Sequence, residues 1–339
     1  MAPTWCWRSR VPKGSIMAPT EHEHPLDTTE ELSAEEQAER EHAEAEVALA
    51  RLEDRIGAFT AYTLANDFLE LREIFAGSFE RMKAEDWQRR SERRAQGWTR
   101  RQALAHVTAV TEAYNQAIST ALAGEPVVIP GMSERSDLKA FNEAAIEARA
   151  ELTVEALTTT FLDALSESAS LVAPLSLKEM VHHVPLPHLS SVPTIGEMFG
   201  SSLAHAGIIH GAQLALTRAR PIWIYFQPGM MRRQITRFVH LLGLNYWPER
   251  GGDLHATIAI NIAGQGGGSW LIRISPSGGQ GKIGRARTND VTFSFNSADL
   301  FCRIMTFQSS AWRPLLLRRL RVAGQLGLAR RVPHFFMPT

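Results

Sequence analysis

The sequence predicts a multidomain chain of α and α+β class: an up-down four-helix bundle first, then a domain of sheet and helices. Three observations carry this. Apolar residues up to about Leu216 recur at spacings of three and four, the helical period. Beyond Leu254 they recur at every second position, the strand period. At 339 residues, the chain is long enough for two cores.

The totals narrow the class further. Lys plus Arg and Asp plus Glu both number 36, so no global field favours nucleic acid. Charge is nevertheless uneven. Glu21–Glu46 is acidic with Arg40 its only Lys or Arg, and Arg313–Arg331 has six arginines and no acid. Those arginines lack the interleaved aromatic platforms that single strands stack on, which argues against a nucleic-acid partner. Cys6 and Cys302 are the only cysteines, which argues against a disulfide framework and for a reducing, cytoplasmic setting. No apolar run reaches the roughly 18–20 residues that span a bilayer, and the N-terminus lacks a signal peptide's apolar stretch.

Residues 1–55 are expected to form a disordered or frayed acidic segment. Ser33 with Glu36 suits a helix cap there, but little before Val47 offers a face to bury. Met17-Ala-Pro-Thr repeats Met1-Ala-Pro-Thr, which leaves translation starting at either methionine.

The bundle is expected over 56–220. Phe68, Leu71, Phe75, Phe79 and Met82 make one apolar stripe, the first helix. After a polar, arginine-rich stretch, Thr99 and Gln102 form a capping box, and the second helix runs to about Leu122 with His106 two turns in. Gly124–Gly131 is a loop. Helical stretches follow near Leu138–Ala150 and Val154–Leu171, the latter capped by Thr153. A proline-rich loop with His182, His183 and His188 comes next, and histidines in such a loop are expected to be exposed. Then Thr194 and Glu197 cap the last helix, Thr194–Leu216, which is largely apolar yet carries His205 and His210. Imidazoles on an apolar helix are either hydrogen-bonded core residues or ligands, and side chains projecting inward from facing helices are how bundles build metal sites.

The block Met82–Tyr114, with its Trp87, Gly97-Trp98-Thr99 and Leu104-Ala-His106 in order, resembles the DinB-like helical-bundle superfamily, closest to the branch of mycothiol-dependent maleylpyruvate isomerase. His210-Gly-Ala-Gln213 resembles that family's closing element. The resemblance implies a zinc-like divalent metal, a low-molecular-weight thiol cofactor and isomerase or transferase chemistry. Its ligands would come one from the second helix and two, a turn apart, from the fourth. His106 and His210 match the first and last. The middle position is Ala206, which has no ligating atom, and His205 stands one residue earlier. Residues five apart on a regular helix diverge by about 140°. Two accounts therefore stay open: a π-bulge near Gly207 that brings His205 and His210 together, or a degenerate site. No catalytic residue is assigned.

The second domain is expected over 221–339. A helix around Arg232–Leu242 precedes alternating strands at Leu254–Ile262, at Trp270, Ile272 and Ile274, and at Val291, Phe293 and Phe295. The glycine runs Gly264–Gly268 and Gly278–Gly284 read as hairpin turns. A phosphate loop must lead from a strand into a helix, and neither does. Ser297 and Asp299 open a helix through Leu300, Phe301, Ile304 and Met305; a short turn at Trp312–Leu317, a basic segment Arg321–Ala329 and Phe335-Phe336 follow. This order, from about Leu254 to Phe336, is similar to the sterol carrier protein domain, except that Gln325 stands where that family often has an acid. The resemblance implies an apolar tunnel that binds a lipid or other apolar small molecule, with Phe293, Phe295, Phe301, Met305 and Trp312 expected near it. Each of these would equally serve as ordinary core. Substrate identity and oligomeric state are not legible.

Overall fold

A computed structural model describes residues 57–90, 97–217 and 219–336, all within one compact unit, Val47–Thr339. The expectations for residues 1–55, including the start at Met1 or Met17, lie outside the described residues, as do those for 91–96.

Four helices make the bundle: α1 (Ala61–Phe79), α3 (Arg100–Leu122), α5 (Val154–Val172) and α7 (Ile195–Ala204). The short α2 (Ala84–Gln88), α4 (Leu138–Glu147) and α6 (Leu177–Met180) lie between them. Both expected capping boxes form. Gln102 N–H donates to Thr99 Oγ1 and Thr99 N–H to Gln102 Oε1; Glu197 N–H donates to Thr194 Oγ1 and Thr194 N–H to Glu197 Oε2. The expected stripe faces inward, and Phe68, Leu71 and Phe75 have no exposed surface. α5 packs on both α1 and α3, and α7 packs on both α3 and α1. The ring order is therefore α1-α5-α3-α7, with the first-to-second and third-to-fourth connections crossing between non-neighbours. Both connections are long enough to do so.

α8 (Pro228–Leu244) follows a 3₁₀ turn at Ile222–Tyr225 and joins the two halves. It packs on α7 and on the sheet. The junction with α1 is a buried ion cluster: Arg233 Nε donates to Asp67 Oδ2 at 2.8 Å, Arg237 Nη1 to the same oxygen at 2.6 Å, and Arg237 Nε to the Ala58 carbonyl at 2.8 Å. Burial pulls the Arg237 guanidinium down to about 10, with the Asp67 charge and hydrogen bond opposing.

After the short α9 (Pro248–Gly251) come β1 (Ala256–Ile262), β2 (Gly268–Ser275), β3 (Gly278–Ile283), β4 (Val291–Phe295) and β5 (Leu320–Gly324), in the order β3-β2-β1-β4-β5. β1 and β4 are parallel and the other pairs antiparallel. Ile260 is opposite both Trp270 and Phe293, and Phe293 is opposite Val322, so these residues share one face. α10 (Ala298–Met305), α11 (Trp312–Leu316) and α12 (Leu326–Phe336) complete the chain.

Two expectations are corrected. Gly278–Gly284 is mostly strand β3, not a turn. Its glycines exist because α8 lies directly on it: a Cβ on Gly281 would sit 2.2 Å from the Val239 carbonyl oxygen, and one on Gly279 would sit 2.6 Å from that of Gly243. The segment Arg321–Ala329 is not one element. Gly324, with φ +90°, ends β5, and α12 begins at Leu326.

Candidate functional site: three imidazoles at the end of an apolar cavity

The last bundle helix does not run regularly to Leu216. After Ala204 it widens into a π-helical turn, His205–Ile209, closed by His210 N–H donating to the His205 carbonyl five residues back at 3.0 Å. Gly207 sits inside this turn, where a Cβ would come 3.2 Å from Phe226 Cζ. Gly211 follows it, and a Cβ there would lie 2.1 Å from the Gly207 carbonyl oxygen. The wide turn absorbs the extra residue between the two histidines, so both imidazoles point the same way. Ala206 is fully buried.

His106 arrives from α3 and meets them. Its Nε2 is 3.3 Å from His205 Nε2, which is 3.1 Å from His210 Nε2, and one nitrogen from each ring lies within 4.8 Å of the others. Three nitrogens bound tetrahedrally to one zinc at about 2.0–2.1 Å would stand about 3.3 Å apart. A hydrogen-bonded reading fits less well. A single proton on His205 Nε2 cannot give linear bonds to both neighbours, whereas one cation satisfies all three lone pairs. Gln213 sharpens this, because its Oε1 contacts His210 Nδ1. An amide oxygen only accepts, which puts the proton on Nδ1 and leaves Nε2 as the ligating atom. His106 and His210 are buried, His205 is partly so, and the Trp98 ring packs 4.9 Å from that of His106. The donor set, three imidazoles and no carboxylate, fits a zinc-like ion with one position left open.

That open side faces a cavity of about 1430 Å³. All three histidines line it, and so does the inner face of the sheet, including Ile260, Phe293 and Phe295, with Phe301 and Met305 from α10. The histidines expected to hold a metal and four of the residues expected near an apolar ligand thus line one space. Trp312 is not part of it. It is 61 % exposed, because α11 turns Trp312 and Leu316 outward and gives only Leu315 to the lining.

Sequence reasoning missed a polar group in the same cavity. Tyr114 lies two turns beyond His106 on the same side of α3, and its hydroxyl is 3.2 Å from Nε2 of buried His188. His182 and His183 are exposed as expected, but His188 is buried and lines the cavity. Burial and then the nearby Arg135 charge lower its pKa to about 4, so it is neutral at pH 7. Burial alone pushes the Tyr114 phenol well above its usual range. Helical spacing from His106 could have pointed to Tyr114. Nothing in the loop composition distinguishes His188 from its neighbours.

No curated protein matches the chain. Among solved structures it is similar to the mycothiol-dependent maleylpyruvate isomerase, at 13 % identity over 72 % of this chain and 87 % of that one, with a TM-score of 0.47. Its C-terminal region is similar to sterol carrier protein 2 from Yarrowia lipolytica in the apo form, at 15 % identity over 40 % of this chain and 88 % of that one, with a TM-score of 0.22. The segment that carries His106, His205 and His210, residues 68–215, matches the family model of the mycothiol maleylpyruvate isomerase N-terminal domain.

Proposed function

We propose that His106, His205 and His210 hold one divalent metal ion, and that the cavity beyond them receives an apolar, lipid-like ligand. On this reading the chain is a metal- and thiol-dependent isomerase or transferase of the maleylpyruvate isomerase type. The single observation that carries it is the shared cavity: three convergent imidazole nitrogens and an apolar sheet face line the same space. The bundle (56–220) would supply the ion and the C-terminal domain (221–339) most of the apolar wall.

A divalent ion at this position supplies positive charge that lowers the pKa of a bound thiol or water. The protein's own residues do the rest. Gln213 fixes the tautomer and ring direction of His210, the π-turn sets the angle between His205 and His210, and Trp98 holds the His106 ring. Apolar side chains from the sheet and α10 exclude water and position the non-reacting part of the ligand. Their burial of a chain is worth about 0.8 kcal/mol per methylene, enough to hold some ten carbons after ordering costs. The thiol is supported by the family match over 68–215.

The test is elemental analysis of the purified protein together with native mass spectrometry for apolar small molecules that come with it. One equivalent of divalent metal per chain is expected. Protein that carries an apolar ligand but no stoichiometric ion would reduce the function to binding alone.

A further inference from the structure

Three unlike groups that the metal reading does not use line the cavity, and the Arg135 charge acts on His188. Arg135, in a 3₁₀ turn before α4, lays its guanidinium 4.1 Å from the Trp247 ring centroid. Its Nη1 donates to the Tyr246 carbonyl at 2.8 Å and its Nη2 to that of Asn245 at 2.7 Å, which caps the end of α8. This structural duty uses two of five N–H groups. Nε is buried and has no protein partner among the described residues. Glu249 and Arg250 are the other charged groups that act on it.

His188 supplies a second unmet donor. The buried Tyr114 hydroxyl has one hydrogen-bond partner among the described residues, His188 Nε2. A buried phenol must place its proton somewhere, so it donates to Nε2, and the neutral imidazole then carries its own proton on Nδ1. That Nδ1 is buried without a partner among the described residues, and His188 is only 6 % exposed. Arg135, His188 and Tyr114 all line the cavity. Tyr114 lies eight residues beyond His106 on one helix, which sets the two polar ends about 12 Å apart at 1.5 Å per residue.

We propose that Arg135 and His188, the latter oriented by Tyr114, form a head-group subsite for a monoanionic carboxylate, and that the ligand is an amphiphilic acid whose chain lies along the sheet wall. This rests on the reading that the cavity takes an apolar ligand. One cation and one neutral donor match one negative charge, and a dianion in such apolar surroundings would leave charge unpaired. The subsite is separate from the imidazole cluster, so the carboxylate is an anchor and the far end of the chain is what reaches the histidines.

The experiment compares binding of dodecanoate and dodecanol, equal in chain length, by isothermal titration of the full chain as purified and after chelator treatment. Wild-type protein is expected to prefer dodecanoate by at least tenfold in both states. Arg135→Met should remove about tenfold of the dodecanoate affinity and leave dodecanol unchanged, while Arg135→Lys retains part of the preference. His188→Phe, which keeps ring bulk, provides a second variant with a selective severalfold loss should Arg135→Met unfold. Equal affinity for acid and alcohol, or a preference that vanishes on chelation, would overturn the subsite and leave the apolar cavity standing. Binding of neither molecule would overturn both.

Discussion

The two walls of the cavity are built on different principles. On the bundle side, function depends on direction: His205 and His210 converge only because one π-turn rotates the backbone between them, and His210 is further fixed by Gln213. On the sheet side, Ile260, Phe293 and Phe295 need only be apolar and on the inner face, which strand alternation guarantees. A directional site is lost by a change of one residue in register. An apolar wall degrades gradually. The difference predicts where the molecule is fragile and where it is tolerant.

The largest effect should come from the directional wall. Inserting one alanine after Ile208 adds a residue that the π-turn does not absorb and swings His210 by about 100° relative to His205. His205→Ala removes one nitrogen outright. Either variant is expected to retain no stoichiometric metal by elemental analysis while keeping a wild-type helical circular dichroism spectrum. A full equivalent of metal in both would show that the turn and His205 are irrelevant to ion binding.

Packing gives the next largest effect. Phe161 has no exposed surface and touches Phe75 edge-on at 5.1 Å in the bundle core. Phe161→Ala is expected to cost about 3–5 kcal/mol in chemical denaturation. Phe293 already fronts open space, so Phe293→Ala should cost distinctly less stability while weakening apolar-ligand binding. Equal costs would mean that the sheet face is solid core and not a cavity wall.

Acid sensitivity follows from His188. Its folded pKa of about 4 lies below the unfolded value near 6.5, so the unfolded chain binds more protons between these limits. Its contribution is fully present above about pH 6.5 and falls away as pH drops toward 4, by on the order of 3 kcal/mol. His188→Phe should flatten that part of the stability–pH curve measured by urea denaturation. An unchanged slope would place His188 in water.

Gln213 should have the smallest effect of the four. Gln213→Ala leaves all three imidazoles in place but frees the His210 ring, and a 10–100-fold loss of metal affinity is expected in chelator competition. No loss would mean that the His210–Gln213 contact does not orient a ligand.

The same contrast explains what could be read from the sequence. Periodicity is local, so the bundle stripe at Phe68–Phe79, the capping boxes at Thr99 and Thr194, and the alternation at Ile258–Ile262 were all legible. The condition for His205 and His210 to converge was also legible, because five-residue spacing has a definite angular consequence, but whether the helix met it was not. Glycines were ambiguous. Gly279 and Gly281 accommodate a helix that is distant in sequence, and nothing nearby signals its approach. Trp312 misled because apolar character alone does not say which side of a short helix faces inward. Arg135 and His188 were invisible as a pair, since they come from separate loops brought together only by tertiary packing.

The most direct test of a single cavity shared by metal and apolar ligand is paramagnetic broadening. Protein reconstituted with Co²⁺ or with diamagnetic Zn²⁺ would be titrated with dodecanoate, and the ligand's proton line widths recorded by NMR. Broadening of the bound chain by Co²⁺ but not by Zn²⁺, abolished by His205→Ala, is the predicted result. An ion and a chain that both bind, with line widths identical for the two metals, would contradict the account.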